Sequence, residues 1–244
     1  MIGFLISANT YKEGVKTSTE PNKTKDSTTG QPAVECKVEI PQVSFDVLAD
    51  SFYKQIFNGT TSLDKKVFNY GLKGYYFLLQ QGNLKRKDTM TIIDYSMSAN
   101  SKRLWVIDLK NQVVLFNELV AHGKNSGNVY ASSFSNTTNS YKTSLGFYIT
   151  GDIYKGKHET SLRLFGMESK FNGKAFERGI VIHGANYVSE SFIANNQRLG
   201  RSQGCPAVSE EVINHLAVAI SNGTCLFAYY PNKVYLKSSR ILKS

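Results

Sequence analysis

Residues 180–207 read IVIHGANYVSESFIANNQRLGRSQGCPA, and this stretch decides the expected fold and chemistry. Residues 180–184 form an apolar, β-branched run, which predicts a buried strand with His183 at its carboxyl end. Residues 201–207 predict a loop around Gly204 and Cys205 that leads into a helix. A histidine at a strand end and a cysteine in a glycine-containing loop are the two parts of a nucleophile–base pair.

The predicted position of Cys205 favours a reactive thiol. A thiol just ahead of a helix meets unpaired backbone N–H groups and the positive end of the helix dipole, and both lower its pKa. Gly204 permits backbone geometries that other residues resist, and Pro206 biases Cys205 away from the helical region. The backbone N–H groups of Gly204 and Cys205 are therefore candidate donors to a developing oxyanion, each contributing about 3 kcal/mol.

Helical periodicity flanks a long β-rich region. Ser44 is the predicted N-cap of a first helix that continues until Asn58-Gly59, and a second helix is expected over 64–80. A third, capped by Ser209, is predicted to end before Asn222-Gly223. Between them, short β-branched and aromatic runs predict strands at 91–95, 104–109, 113–116, 119–122, 145–150, 161–165, 180–183 and 225–230.

The pattern as a whole predicts a mainly β, α+β domain. Its core is expected to be a sandwich or barrel-like sheet, with two N-terminal helices and one helix after Cys205. The folded domain is predicted over 41–244, after a flexible tail at 1–40 that is rich in Lys, Thr and Ser. The apolar start at 1–7 is too brief for an intact secretory signal, so either the signal has been removed or replaced or only its remnant is left.

The net charge and the lengths of the apolar runs limit the kinds of molecule that the protein is expected to bind. The chain of 244 residues carries 29 Lys and Arg against 19 Asp and Glu, a net charge of +10. A basic surface favours anionic partners, but the lysines are dispersed and no nucleic-acid-binding motif is present, so no nucleic-acid partner is expected. No apolar run approaches the roughly 20 residues of a membrane span, which predicts no integral membrane segment.

Three cysteines exclude a dense disulfide framework. Without a CxxC pair or an HExxH motif, neither a metal site nor a cofactor is expected. Two arrangements stay open for Cys36 and Cys225. They pair while Cys205 remains free, or they are independent thiols.

The blocks around His183 and Cys205 resemble the catalytic domain of murein L,D-transpeptidases, a divergent branch of the YkuD-like fold. The resemblance is carried by 181–189 and 200–207, with further similarity at 120–124, 144–148 and 156–158. It implies a β-rich catalytic domain acting on peptidoglycan stem peptides in the periplasm or cell envelope. It also implies that carbapenems would acylate the protein.

Under this resemblance, Cys205 forms a thioester as the terminal D-residue of a stem peptide leaves. His183 takes the thiol proton and later assists an acceptor amine, whose attack forms a cross-link. Water as the acceptor would make the protein an L,D-carboxypeptidase, a hydrolase using the same site. The third hypothesis is a murein-binding protein without catalytic activity.

Two positions depart from the family pattern. Gln203 stands where a histidine usually lies two residues before the cysteine, and Pro206-Ala207 replaces an arginine that commonly follows it. Substrate carboxylates are therefore expected to be bound by Arg201 or Arg198, because a guanidinium binds a carboxylate through two hydrogen bonds. The further candidates for substrate binding are Ser202, Tyr187, His158 and His122.

Overall fold

The computed structural model describes residues 44–58, 63–157 and 159–243. Cys36, His158 and the predicted tail at 1–40 lie outside these residues, so the statements about them stay predictions. Six helices occur in the described ranges: α1 (Phe45–Ile56), α2 (Lys65–Gln80), α3 (Glu190–Asn196), α4 (Glu210–Ile220), α5 (Lys233–Ser238) and α6 (Arg240–Lys243). None of these helices is both long and apolar enough to cross a membrane.

Eight described strands form one mixed sheet, which confirms the mainly β, α+β fold class. The strands are β1 (Thr89–Asp94), β2 (Leu104–Asp108), β3 (Val113–Glu118), β4 (Gly146–Gly156), β5 (Glu159–Gly166), β6 (Val181–Gly184), β7 (Ala207–Val208) and β8 (Cys225–Tyr229). Their order is β3-β2-β1-β8-β4-β5-β6-β7. The pairs β1–β8 and β6–β7 are parallel, and the others are antiparallel.

The two ends of this strand order approach each other. After β3 the chain forms an isolated bridge between Ala121 and Ala207 of β7, where the Ala121 N–H donates to the Ala207 carbonyl at 2.8 Å. A second bridge joins Gly123 to Ser202. The sheet is thus nearly closed into a barrel. Cys205 lies between the two bridged positions, so barrel closure places it.

The strand predicted at 119–122 is wrong. Strand β3 ends at Glu118, and the following segment contributes only the single bridge at Ala121. Its apolar residues are buried because the chain crosses there from one edge of the sheet to the other. Burial and β-branching, which the sequence pattern registers, are common to strands and to such crossings.

The two faces of the sheet bury two apolar cores. Ile92 and Phe227 belong to the core that is covered by α1, α2, α5 and α6. Ile93, Ile182 and Leu226 belong to the opposite core, which α4 covers. Successive side chains of a strand point to opposite faces, so β8, which is buried at every position, has no charged residue and fills both cores.

Both N-terminal helices follow their sequence signals. The Ser44 hydroxyl accepts the Val47 N–H at 3.5 Å, and the Asp64 carboxylate accepts those of Lys66 and Val67 at 2.9 and 3.1 Å. Ser209 is the N-cap residue of α4 as predicted, although its side chain makes no capping hydrogen bond with the described residues. Helices α3, α5 and α6 and the two-residue strand β7 were not predicted.

Candidate active site

The pairing of β6 with β7 brings the two predicted chemical groups together. His183 on β6 lies opposite Ala207 on β7, and Cys205 precedes Ala207 by two residues on the incoming loop. His183 and Cys205 both line one cavity of about 510 Å³. The strand end that was predicted for His183 is therefore next to the cysteine loop.

The His183 ring is fixed by its own strand. Its side chain is buried, and Nδ1 lies 2.8 Å from the carbonyl oxygen of Gly184. A carbonyl oxygen only accepts, so the hydrogen-bond network assigns the ring proton to Nδ1 in the neutral imidazole. Nε2 is then the basic nitrogen, and the ring is oriented without a carboxylate partner in this contact.

The thiol of Cys205 experiences opposing influences. Burial raises its pKa, whereas a hydrogen bond with the Val181 backbone and the positive charge of Arg178 lower it. Burial is the largest of these effects, so the net pKa is raised. The thiol Sγ also lies 3.7 Å from the carbonyl oxygen of Gly179.

The prediction that a helix N-terminus lowers the pKa of Cys205 is wrong. Strand β7 and Ser209 separate the cysteine from α4, which begins only at Glu210. The influence of a helix dipole falls off within about one turn of the helix end. The cation that favours the thiolate is instead a side chain from another loop.

That side chain, Arg178, was missed by the sequence reasoning. Its guanidinium donates to the carbonyl oxygens of Ser135 at 2.8 Å and Lys142 at 2.7 Å. It also lies beside Gly204, since a Cβ built on that glycine would be 3.4 Å from Arg178 Nη2. In the sequence, Arg178 is a single charge two residues ahead of a strand, which is indistinguishable from an ordinary surface residue.

The loop before Cys205 is held by its own hydrogen bonds. Gly204 has φ +126°, a conformation that favours glycine, and its N–H donates to the Ser202 hydroxyl at 3.0 Å. That hydroxyl donates in turn to the Cys205 carbonyl at 2.6 Å. The predicted use of the Gly204 N–H as an oxyanion donor is not supported, because this N–H is already bonded within the loop. Ser202 likewise uses its hydroxyl to shape the loop.

Five predicted residues line the cavity: His183, Cys205, Arg201, Ser202 and Tyr187. The Arg201 guanidinium is anchored by a 3.1 Å hydrogen bond to the Gly127 carbonyl. Burial raises the pKa of Tyr187 to about 12, so its phenol stays protonated at neutral pH. Cavity residues that the sequence reasoning missed include Asn139, Tyr141, Tyr154, Lys157, Glu177 and Arg178.

Arg198 and His122 are not among the residues that line this cavity. Arg198 donates to the carbonyl of the adjacent Leu199 at 2.9 Å. His122 is fully buried, and its Nδ1 lies 2.9 Å from Nη2 of the buried Arg103. Burial and the Arg103 charge lower the pKa of His122 to about 4, so its ring is neutral at pH 7.

Side chains suited to a metal ion are not clustered in the described part of the chain. No three His, Cys, Asp or Glu residues there come together as a possible ligand set. The groups that line this cavity include a thiol, an imidazole, hydroxyl and guanidinium groups, the Glu177 carboxylate and the Lys157 ammonium group.

The fold and cavity define a β-rich domain with a cysteine and a histidine in one cleft at the seam of the barrel. The model of the L,D-transpeptidase catalytic domain family matches residues 59–229, which is most of the chain. The chain belongs to this family, whose members are transpeptidases that modify peptidoglycan in the cell envelope. A search of curated protein sequences gives no match.

Solved structures give partial similarities to the same family. An L,D-transpeptidase from Mycobacterium smegmatis is 12% identical, with a TM-score of 0.38, over 59% of each chain. The L,D-transpeptidase LdtMt1 in complex with imipenem is 14% identical, with a TM-score of 0.36, over 58% of this chain and 59% of that one. The helical cell shape determining protein Pgp2 from Campylobacter jejuni is 13% identical, with a TM-score of 0.40, over 67% and 57%. The chain thus spans about six tenths of the length of these proteins.

Proposed function

We propose that the protein is a cysteine-dependent L,D-transpeptidase that cross-links peptidoglycan stem peptides, with Cys205 as nucleophile and His183 as base. One observation carries the proposal. The Gly184 carbonyl holds His183 Nδ1 at 2.8 Å, which leaves Nε2 as the basic nitrogen of a ring that shares its cavity with Cys205. Membership of the transpeptidase family supports the choice of substrate.

The proposed first half-reaction is acylation. His183 Nε2 takes the proton of the Cys205 thiol as the sulfur attacks the carbonyl carbon at the L-centre of the diamino acid. The amide C–N bond breaks, a C–S bond forms, and the D-residue leaves as an amine that receives the proton from His183. Since burial raises the pKa of Cys205, the thiol is favoured over the thiolate and the proposed attack needs a base.

The proposed second half-reaction transfers the acyl group. An acceptor amine from a neighbouring stem attacks the thioester and gives its proton to His183 as the C–S bond breaks. The new amide is the cross-link, and His183 returns the proton to the Cys205 thiolate. Water in place of the amine would release a free carboxyl group, which is the L,D-carboxypeptidase alternative.

Substrate binding is assigned to the cavity walls. The Arg201 guanidinium offers a charge-assisted contact for the terminal carboxylate of the donor stem. Tyr187 bounds the cleft with a neutral phenol. The Cys205 N–H is the proposed oxyanion donor, because the Gly204 N–H is bonded to Ser202. Arg198, which lies outside the cavity, is not assigned a substrate contact.

The same site would accept carbapenems as acyl donors, since their strained amide carbonyl reacts with a thiol as a stem peptide does. Imipenem is the ligand in the complex of the similar LdtMt1. A function on the cell wall also places the protein outside the cytoplasm, in the periplasm or cell envelope. Both assignments follow from the proposed reaction.

Purified muropeptides test the proposal and its alternatives. Wild-type protein and the Arg201→Gln variant are incubated with monomeric tetrapeptide muropeptides, and products are separated by mass. We expect dimers from the wild type and a KM roughly tenfold higher for Arg201→Gln, because about 1.4 kcal/mol of a charge-assisted contact is lost. Arg198→Gln, a matched loss of an arginine outside the cavity, is expected to behave as the wild type.

The other product patterns are equally informative. Trimmed monomers without dimers would establish the L,D-carboxypeptidase instead. Binding of muropeptides without any product would establish the idle murein-binding protein and overturn the catalytic assignment.

A further inference from the structure

An exposed aromatic surface adjoins the catalytic cavity. Phe165 on β5 and Phe176 in the following loop are 39% and 59% exposed, and their rings stack at 5.4 Å between centroids with 16° between planes. Arg163 and Tyr154 continue the surface along the β4–β5 hairpin. These four residues are called the aromatic platform below. Large apolar side chains that are grouped at the surface mark interaction sites more often than isolated ones do.

The platform is held in place by contacts among its own members. The Arg163 guanidinium lies 4.2 Å from the centroid of the Tyr154 ring and 6.0 Å from that of Phe176. Its Nε is 3.2 Å from a carboxylate oxygen of Asp152. Ring stacking and the contacts of the Arg163 guanidinium with two rings restrain these side chains before any partner binds, which lowers the side-chain entropy cost of binding.

A glycine in the strand beneath the platform makes room for two platform side chains. A Cβ on Gly151 of β4 would lie 2.7 Å from Cε2 of Phe165 and 2.9 Å from Cβ of Arg163. Only glycine at this position lets the Phe165 ring lie against the neighbouring strand. The absence of a side chain at Gly151 therefore makes room for two platform residues at the surface of β4.

The platform is continuous with the cavity that contains Cys205. Tyr154, a platform residue, also lines that cavity, and so do Glu177 and Arg178, which directly follow Phe176 in the chain. A molecule extending out of the cavity on this side therefore passes over the platform. The proposed donor peptide is attached to a glycan strand at the end opposite its reacting carbonyl, so a donor that leaves the cavity on this side carries its glycan strand over the platform.

We propose that the aromatic platform binds the glycan strand that carries the donor stem peptide. A sugar ring has an apolar C–H face that packs on an aromatic ring and hydroxyl groups at its edge that need planar polar partners. Phe165 and Phe176 supply the ring faces, and Arg163 with Asp152 supplies donors and acceptors beside them. This inference rests on the proposed function for its choice of glycan.

Binding of glycan can be measured without catalysis. Peptide-free glycan strands, prepared by treating sacculi with an amidase, are titrated into wild-type protein, Phe176→Ala and Val234→Ala. Val234 has a similar exposure of 58% and lies on α5, so it is the matched control. We expect saturable binding to the wild type and to Val234→Ala, and at least a roughly tenfold weaker affinity for Phe176→Ala, equivalent to about 1.4 kcal/mol.

Turnover separates this inference from the proposed function. Phe176→Ala is expected to raise KM for glycan-linked tetrapeptide while leaving KM for the free tetrapeptide and the yield of carbapenem adduct unchanged. Failure of the wild type to form any adduct or product would overturn the proposed function and leave the glycan titration as the test of the platform. The platform assignment is overturned if peptide-free glycan does not bind the wild type, or binds Phe176→Ala equally well. Concentration-dependent self-association that Phe176→Ala abolishes, in place of glycan binding, would also overturn it.

Discussion

The surroundings of Cys205 favour the neutral thiol over the thiolate. Burial raises its pKa, and the guanidinium of Arg178 partly offsets that effect. A thiol with a raised pKa is less reactive as a nucleophile, so the proposed mechanism needs His183 as a base. The fixed Nδ1 of His183, bonded to Gly184, keeps Nε2 ready for that role.

Removal of the Arg178 charge is expected to raise the pKa of Cys205 further. A cation stabilises the thiolate, so Arg178→Met should shift the pH profile of alkylation by iodoacetamide to higher pH and reduce the rate at pH 7 several-fold. Arg178→Lys keeps a positive charge and should lie closer to the wild type. A profile that is unmoved in Arg178→Met would contradict the electrostatic role. Thermal denaturation of each variant controls for the lost contacts to Ser135 and Lys142.

At the scale of residues, the sequence predicted the proximity of His183 and Cys205 better than it predicted the groups around them. The motifs around His183 and Cys205 were sufficient to place both in one cavity, because parallel strand pairing joins them. Arg178 could not be predicted, since it reaches the cysteine loop through space from another segment. The direction of the Gly204 N–H also depends on a hydrogen bond to Ser202 that no residue pattern specifies.

At the scale of elements, the approach of α2 to the sheet depends on two helical glycines. A Cβ on Gly74 would overlap the ring of Phe147, which is stacked on Phe227 at 4.2 Å and has no room to move. A Cβ on Gly71 would instead meet Cδ1 of Ile92 at 2.6 Å, the end of a flexible side chain. The helix therefore tolerates a methyl group less well at Gly74 than at Gly71.

Gly74→Ala is expected to lower the free energy of unfolding by about 1–3 kcal/mol, even though alanine favours a helix by about 1 kcal/mol over glycine. Gly71→Ala should cost clearly less, because Ile92 can change rotamer. Urea denaturation of the two variants and the wild type measures the order of their unfolding free energies. Equal stability of Gly74→Ala and the wild type would contradict the close packing of α2 on Phe147.

Elements with a strong local period were predictable, and those defined by distant contacts were not. The apolar spacing of α1 and α2, together with the predicted N-cap at Ser44, gave their starts to within about a residue and the end of α1 to within about two. Helix α3 has no buried residue and therefore no apolar stripe to detect. The segment 119–122 was mistaken for a strand because it is buried by the crossing to β7.

At the scale of the whole molecule, Glu168 links the C-terminal helices to the barrel. One carboxylate oxygen accepts the Phe147 N–H of β4 at 3.0 Å and the Tyr235 hydroxyl of α5 at 2.9 Å. The other accepts the hydroxyl of Ser239, which precedes α6. Burial raises the pKa of Glu168 above its ordinary 4.5, and these hydrogen bonds offset that rise only in part.

The raised pKa of Glu168 in the folded protein determines how stability changes with pH. The folded protein binds the Glu168 proton more tightly than the unfolded chain does, so the associated stability is present below pH 4.5 and is lost as pH rises through the folded pKa. Glu168→Gln resembles the protonated form and lacks this titration. The unfolding free energy of the variant relative to the wild type should therefore increase with pH, by up to about 1.4 kcal/mol per pH unit.

Urea denaturation from pH 4.5 upward checks this expectation, with the exposed Glu211→Gln as the matched control. The difference in unfolding free energy between Glu211→Gln and the wild type should vary less with pH. If the unfolding free energy of Glu168→Gln relative to the wild type falls as pH rises, the prediction is contradicted, because the folded protein then favours the ionised carboxylate.

The closure of the barrel is the part of the whole molecule that local patterns could least predict. Contacts of Ala121 with Ala207 and of Gly123 with Ser202 join segments about 80 residues apart. They position the loop from Ser202 to Cys205 against β6, so the catalytic geometry depends on closure. The pattern of short strands indicated a sandwich or barrel-like sheet, and the pairing that closes it came from the structure.

Mass spectrometry of the intact protein after incubation with imipenem tests the central claim most directly. If Cys205 is the nucleophile, its sulfur opens the β-lactam, the ring C–N bond breaks and the thiol proton passes to the ring nitrogen. The wild type and the control Cys225→Ala, which removes the buried free thiol, should each gain the mass of one whole imipenem molecule, and Cys205→Ala should gain none. An equal adduct on Cys205→Ala would contradict the account.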